Sequence, residues 1–306
     1  MHPERTRRAF LQLTAAAGLT LSMPGVTATE TRVMERRRIP GTDEEIPVIG
    51  LGTSDEFEAV PADGGAQLKS VLTTLVENGG TLVDTAPAYG RSEKVLGDFL
   101  SDLGYTRKVF LSTKVGVRGK KEGLQSLERS QRLLQKDPLD LMMVHSLVDA
   151  DIQLDNLQAR KDAGHVRYIG ITTSRASGFE QMEQLIRKRK LDFIQVNYSP
   201  FEVQAANRVI PAAAEHGVAV MVNRAFGNGT YFSRIGDRQL PAWTGEFDCD
   251  SWAQLSLKYI LGHADVTCVL AATSNPRHMA DNAAAGSGRL PDTATCHRIE
   301  SLLREF

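Results

Sequence analysis

From about residue 36 onward, short apolar runs rich in β-branched residues alternate with longer amphipathic stretches. The runs are Val48–Gly52, Thr81–Asp84, Val109–Lys114, Leu139–His145, Tyr168–Thr172, Phe193–Asn197, Val218–Asn223 and Val266–Ala271. A strand covered on one face alternates apolar with polar residues, whereas one apolar throughout is covered on both, as in a parallel sheet wrapped in helices. The stretches between carry helical spacing. Leu68, Val71, Leu72, Leu75 and Val76 share one face, and Asn78-Gly79-Gly80 ends that helix. Val95, Leu96, Phe99 and Leu100 define a second helix, for which Ser92 is the expected cap. Leu124, Leu127, Leu133 and Leu134 define a third, stopped by Asp137-Pro138. Eight such units in about 250 residues predict an α/β fold, a closed (β/α)8 TIM barrel. A doubly wound open sheet is disfavoured because no G-x-G-x-x-G follows the first run.

Three segments stand outside the repeat. Residues 36–48 predict a hairpin turning around Gly41 and Asp43, placed to plug the bottom of the barrel. Gly227 to Asp250 predicts a long connection after the seventh strand, with Tyr231, Phe232, Trp243 and Phe247 as a substrate wall or as surface packing. At the start, Thr6-Arg7-Arg8-Ala9-Phe10-Leu11-Gln12 sets two arginines before a weakly apolar run ending near Leu21. That run is too short to span a bilayer, and Val26-Thr27-Ala28 offers a cleavage stretch. Residues 1–28 therefore resemble a bacterial twin-arginine signal peptide, a leader read by the export machinery. It implies a periplasmic destination reached in the folded state, with residues 29–306 as the barrel domain.

Composition narrows the partners. A net charge of −1 gives no reason to expect nucleic acid or stable membrane association. Cys249, Cys268 and Cys296 are too few and too scattered for a zinc site or disulfide framework, although a Cys249–Cys296 bridge stays open. No H-x-H pair or carboxylate cluster at the strand ends marks a metal-dependent hydrolase.

Four polar groups fall at or just after strand ends that face one barrel mouth: Asp84, Tyr89 five residues later, Lys114 and His145. Reduction of a carbonyl needs a hydride from a cofactor and a proton for the developing alkoxide. A free phenol is a sluggish acid at neutral pH; an adjacent ammonium is expected to lower the Tyr89 pKa, and a carboxylate keeps that ammonium charged. Tyr89 as acid, Lys114 as its modulator and Asp84 as the partner of Lys114 form one consistent set. His145 either orients the substrate oxygen or passes a proton, depending on its tautomer.

Those residues also carry a resemblance. Asp84-Thr85-Ala86-Pro87-Ala88-Tyr89-Gly90, continued by Arg91-Ser92-Glu93 and Leu96-Gly97, resembles the second-strand signature of the aldo-keto reductases. Ser112-Thr113-Lys114, Leu141 to His145 and the stretch Lys161 to Ile171 are similar to their third, fourth and fifth strands. The resemblance implies interconversion of an aldehyde or ketone and an alcohol, using NADPH, with NADH left open. It places Asp84, Tyr89, Lys114 and His145 on the family's catalytic positions and implies cofactor contacts from Gly52, Thr53, Gln195 and the pair Thr172-Thr173, where the family has Ser-Asn. Asn223-Arg224 stands where relatives carry a stacking aromatic, and Arg224 is expected to compensate through a phosphate. Thr273, Ser274, Arg277 and Asn282 match the family's adenosine-phosphate stretch, with helix capping by Ser274 and Asn275 as the alternative. His278, where arginine accompanies NADPH preference, leaves the choice of dinucleotide open. A low-turnover nucleotide-binding or redox-sensing barrel is the alternative function.

Overall fold

The computed structural model describes residues 33–306; the leader read in residues 1–28 lies outside the described residues. A hairpin of β1 (Arg36–Arg38) and β2 (Glu45–Pro47) opens the fold. The barrel strands are β3 (Ile49–Gly52), β4 (Leu82–Asp84), β5 (Phe110–Val115), β6 (Leu139–His145), β7 (Val166–Thr173), β8 (Phe193–Asn197), β9 (Ala219–Asn223) and β10 (Cys268–Leu270). They form a closed barrel in which neighbours run parallel and β10 returns to β3. Helices α1 (Ala66–Glu77), α2 (Ser92–Asp102), α3 (Lys120–Leu134), α4 (Ala150–Asp162), α5 (Phe179–Lys188) and α6 (Val209–Glu215) follow the first six barrel strands. Helices α7 (Thr230–Ile235) and α8 (Trp252–Leu261) follow β9, and α9 (Pro276–Ala284) and α10 (Thr293–Arg304) close the chain.

The strands read as apolar throughout because they border two cores. Alternate residues such as Leu111, Val115, Met142, Val144, Ile171, Ile194 and Val222 pack outward against the helices. The intervening ones, Leu82, Phe110, Leu141, Met143, Tyr168, Phe193, Ala219, Met221, Cys268 and Leu270, fill the barrel together with Ile39 and Ile46 of the hairpin. Gly170 keeps the interior from overfilling: a Cβ there would meet the Phe193 carbonyl oxygen at 2.3 Å. The hairpin is thus the expected plug. Gly41, at φ +74°, makes its turn, and Glu44 accepts a hydrogen bond from the Tyr168 hydroxyl at 2.7 Å and pairs with Arg167. On the other side Arg37 donates to the carbonyls of Leu261 and Val266 at 2.8 and 2.5 Å.

Two local expectations change. Ser92 is the first residue of α2, not its cap; Arg91 holds the cap position without a capping side-chain bond. The connection from Gly227 to Asp250 divides its roles. Phe232 is exposed beside the barrel mouth, while Tyr231 and Phe247 are buried and Trp243 packs on the core. All three cysteines are free thiols.

Candidate active site

The C-terminal ends of the barrel strands open into a cavity of about 660 Å3. The interior positions that are apolar lower down become polar here. On β5 the inward series is Phe110, Ser112, Lys114; on β6 it is Leu141, Met143, His145. Asp84, at the end of β4, receives the Lys114 ammonium on Oδ2 at 2.7 Å and the Ser112 hydroxyl on Oδ1 at 2.7 Å. The ammonium also donates to the Thr85 carbonyl at 2.7 Å. Lys114 is 1% and Asp84 3% exposed, so each charge depends on the other in a dry setting.

Tyr89 lies over this pair on the connection from β4 to α2. Its ring centroid is 5.2 Å from Lys114 Nζ. The His145 ring stands perpendicular to it, at 89° with centroids 6.1 Å apart. The expected acid, ammonium, carboxylate and imidazole therefore converge at one end of the cavity. The electrostatics differ from the expectation. Burial raises the Tyr89 phenol above its usual range and outweighs the opposing pull of Lys114 and Arg224. Burial, reinforced by the Lys114 charge, lowers His145 to about 4, so its imidazole is neutral at neutral pH.

A chain of hydroxyls beneath the site holds it together, and no sequence signal reports it. Thr53 Oγ1 donates to the Asp84 carbonyl at 3.0 Å, Ser92 Oγ donates to Thr53 Oγ1 at 2.8 Å, and Thr85 Oγ1 lies 3.0 Å from Ser92 Oγ. With its proton committed to Thr53, Ser92 accepts from Thr85. This is why Ser92 is unavailable as a cap. It also engages the hydroxyl of Thr53, read from the sequence as a cofactor contact. Behind the strand, the Thr113 hydroxyl donates to buried Glu93 at 2.7 Å, tying α2 to β5 beside Lys114. Burial raises the Glu93 carboxyl.

The remaining expected contacts fall into two groups. Gly52, Thr53, Thr172, Gln195, Asn223 and Arg224 line the cavity. Thr173 does not; its hydroxyl accepts from the Arg175 amide at 3.3 Å, and Ser174 takes the lining position instead. Thr273, Ser274, Arg277 and Asn282 lie outside that lining, on the segment from β10 into α9. There Asn275 caps α9 by accepting from the Arg277 amide at 2.9 Å, Thr273 accepts from the Asn275 amide at 3.1 Å, and Asn282 is buried. The Ser274 carbonyl accepts from Gln67 of α1 at 2.8 Å. Ser54, Asp55, Glu56, Phe226 and Asn228 also line the cavity and were not legible in the sequence.

The polar patch on β7, β8 and β9 fits a nicotinamide carboxamide. Thr172 Oγ1 and Asn223 Nδ2 both donate to Gln195 Oε1 at 3.2 Å. Gln195 Nε2 reaches only the Met221 sulfur at 3.2 Å, a weak acceptor, and Asn223 Oδ1 is buried with no hydrogen-bond partner. A primary amide matches this pattern, since it can donate to Asn223 Oδ1 and accept from Gln195 Nε2.

A closed parallel (β/α)8 barrel with Asp84, Tyr89, Lys114 and His145 gathered at its C-terminal mouth is the architecture of the aldo-keto reductases. The chain belongs to that family: the aldo/keto reductase family model matches residues 48–303. It is 31% identical over 209 residues to the aldo-keto reductase YhdN of Bacillus subtilis, a match covering 62% of this chain and 61% of that protein. It is 26% identical over 233 residues to an aldo-keto reductase of Gibberella moniliformis, covering 67% of this chain and 70% of that one. Among solved structures, aldo-keto reductase AKR11C1 from Bacillus halodurans shares the fold with a TM-score of 0.72 at 23% identity, covering 88% of this chain and 96% of that chain.

Proposed function

We propose that this protein reduces an aldehyde or ketone to an alcohol, with NADPH as donor and NADH left open. The observation that carries the reading is the buried Asp84–Lys114 pair directly under the Tyr89 ring, with His145 at right angles to it. A bound reduced nicotinamide dinucleotide supplies the hydride. Thr172, Gln195 and Asn223 hold its carboxamide, and the segment Thr273–Asn282 takes its adenosine phosphate end.

The protein's own groups handle the proton. A phenol raised by burial holds its proton throughout the neutral range, so Tyr89 presents an O–H to the carbonyl oxygen. When that proton passes to the developing alkoxide, the phenolate left behind is stabilised by the Lys114 ammonium, whose own charge is held by Asp84. His145, neutral because of its burial, donates one hydrogen bond to the carbonyl oxygen and turns it toward Tyr89. Burial of Asp84 and Lys114 strengthens the pairing on which stabilisation of the phenolate rests.

The test is NADPH oxidation over a panel of aldehydes, with Tyr89→Phe beside the wild type. Loss of turnover by about a hundred- to ten-thousandfold in the variant, with NADPH affinity retained, is expected. NADPH binding without turnover in the wild type would instead favour the sensing role. We further propose, on the sequence alone, that Arg7-Arg8 and the run ending near Leu21 direct export of the folded protein to the periplasm. Replacing both arginines by lysine is then expected to retain the protein in the cytoplasm, as read by cell fractionation.

A further inference from the structure

Lys114 and Asp84 hold each other as an ion pair, but neither ring nitrogen of His145 has a hydrogen-bond partner among the described residues. The imidazole is located by contact, against the Tyr89 ring and against Gly116. A Cβ on Gly116 would lie 3.2 Å from His145 Cβ and 3.6 Å from its Nδ1. Gly116 opens the connection from β5 to α3, a segment with no helix or strand of its own. That connection is held from α4. Asp149 Oδ2 accepts from the Gly119 amide at 2.8 Å. Gln153 Nε2 donates to the carbonyls of Val117 and Gly119 at 3.0 and 2.9 Å. Asn156 Nδ2 donates to the Lys120 carbonyl at 3.0 Å and to Gln153 Oε1 at 3.1 Å.

The three residues follow helical spacing and so share one face. Gln153 is 0% and Asn156 3% exposed, and Gly123 of α3 leaves them room, since a Cβ there would lie 1.9 Å from Gln153 Oε1. Apolar side chains would seat α3 on α4 as firmly, because burying an amide costs free energy that its hydrogen bonds only offset. What the amides add is a fixed place for the backbone of Val117, Gly119 and Lys120. The same face is tied to His145 along the chain. Ser146, Leu147 and Asp149 between them lie in the left-handed region, at φ +53°, +56° and +53°, a run that such side chains adopt only where the surroundings impose it. Buried Leu147 anchors this run at one point, and the bond from Gly119 to Asp149 anchors its end. We propose that Asp149, Gln153 and Asn156 are positioning residues for the reduction: they clamp the connection after β5 so that Gly116 keeps the His145 imidazole turned to the substrate's carbonyl oxygen. None of the three lines the cavity, so the clamp acts through His145.

The inference rests on the reductase reading for what His145 does, and one arm of its test needs no turnover. With an aldehyde and NADPH, Asp149→Ala and Gln153→Met should each lower kcat by about ten- to a hundredfold, the cost of a misplaced group. KM and the NADPH Kd from fluorescence titration should stay near their wild-type values. Asp149→Asn keeps an acceptor for the Gly119 amide and tolerates the left-handed backbone, so it should recover most of the loss. In the second arm the His145 signal is followed by NMR and assigned by its absence from His145→Gln. It should titrate at about 4 in the wild type and move toward its ordinary value in Gln153→Met, because a ring freed from its wall gains water. Lys114, Asp84 and Tyr89 are the titratable groups that face it, and all three are unchanged in that variant. Wild-type kcat with an unmoved His145 titration overturns the proposal. So does a lower kcat with the titration unmoved, which gives the clamp to the fold alone. If the wild type reduces no aldehyde, the titration decides by itself: a shift in Gln153→Met supports the clamp and an unmoved signal overturns it. If the α4 variants do not fold, Gly116→Ala tests the same contact at a backbone position outside the left-handed region. A fall in kcat of about tenfold with the NADPH Kd retained supports the proposal, and a wild-type kcat overturns it.

Discussion

At its N-terminal end the barrel interior is hydrocarbon: Leu82, Phe110, Leu141, Phe193 and Ala219 close against Ile39 and Ile46 of the hairpin. At the other end the same strands, one or two pleats further on, present Asp84, Lys114, His145, Gln195 and Asn223. The lower layer is sealed from water, whereas the upper one borders the cavity, with Asp84, Lys114 and Gln195 buried and His145 and Asn223 half-buried, and the two are held by different forces. The lower layer gains from removing apolar surface from water and tolerates any close-packed shape. The upper layer depends on its pairings, above all that of Asp84 with Lys114, because a buried charge without its counter-charge is costly. The difference shows where the barrel keeps its stability and where it spends it on chemistry.

The comparison can be broken most severely at Lys114. Lys114→Met leaves the Asp84 carboxylate buried without its cation, and a loss of about 3–5 kcal/mol is expected in denaturant unfolding. Carbonyl reduction should fall by about a hundred- to ten-thousandfold in the same variant, because the Tyr89 phenolate loses its counter-charge. Phe193→Ala, in the lower layer, sharpens the contrast. It should destabilise by about 3–5 kcal/mol through the cavity it leaves, with little change in NADPH affinity as measured by titration. Comparable stability losses with opposite functional outcomes are what two separate layers require.

A smaller effect should appear in the pH dependence of stability. His145 in the folded protein is lowered to about 4, whereas the ordinary value is near 6.5. Between those values the unfolded chain binds the proton and the folded one does not. Stability is therefore fully present above pH 6.5 and declines as the pH falls toward 4, by on the order of 2 kcal/mol for this half-buried ring. His145→Gln should flatten that part of the profile, measured as denaturation midpoints at pH 7.5 and 4.5. An unchanged slope would mean that the imidazole carries its proton in the folded state.

Much of the fold was legible because a two-faced parallel strand leaves a strong signature. Leu139–His145 and Phe193–Asn197 emerge with the bounds expected of them, and the other barrel strands emerge shifted by a residue or two at their ends. The hairpin was legible too, since Gly41 is needed for its left-handed turn. Ser92 was misread for a reason local sequence cannot contain: Thr53 and Thr85, which bind its hydroxyl, come from the ends of two neighbouring strands. The connection after β9 looked uniform in its aromatics, but burial divides it, taking Tyr231 and Phe247 inward and leaving Phe232 at the mouth.

The chain's residue order alone determined an eight-stranded barrel and the identities of the four groups at its mouth, because hydrophobic period and strand-end position are local properties of the chain. Tertiary structure decided their electrostatic state. Burial, not the nearby ammonium, controls the Tyr89 phenol, and burial makes His145 neutral. It also decided that Asn223 keeps an unpaired acceptor. Desolvation and unpaired polar atoms depend on what surrounds a side chain in three dimensions, and no spacing along the sequence records that.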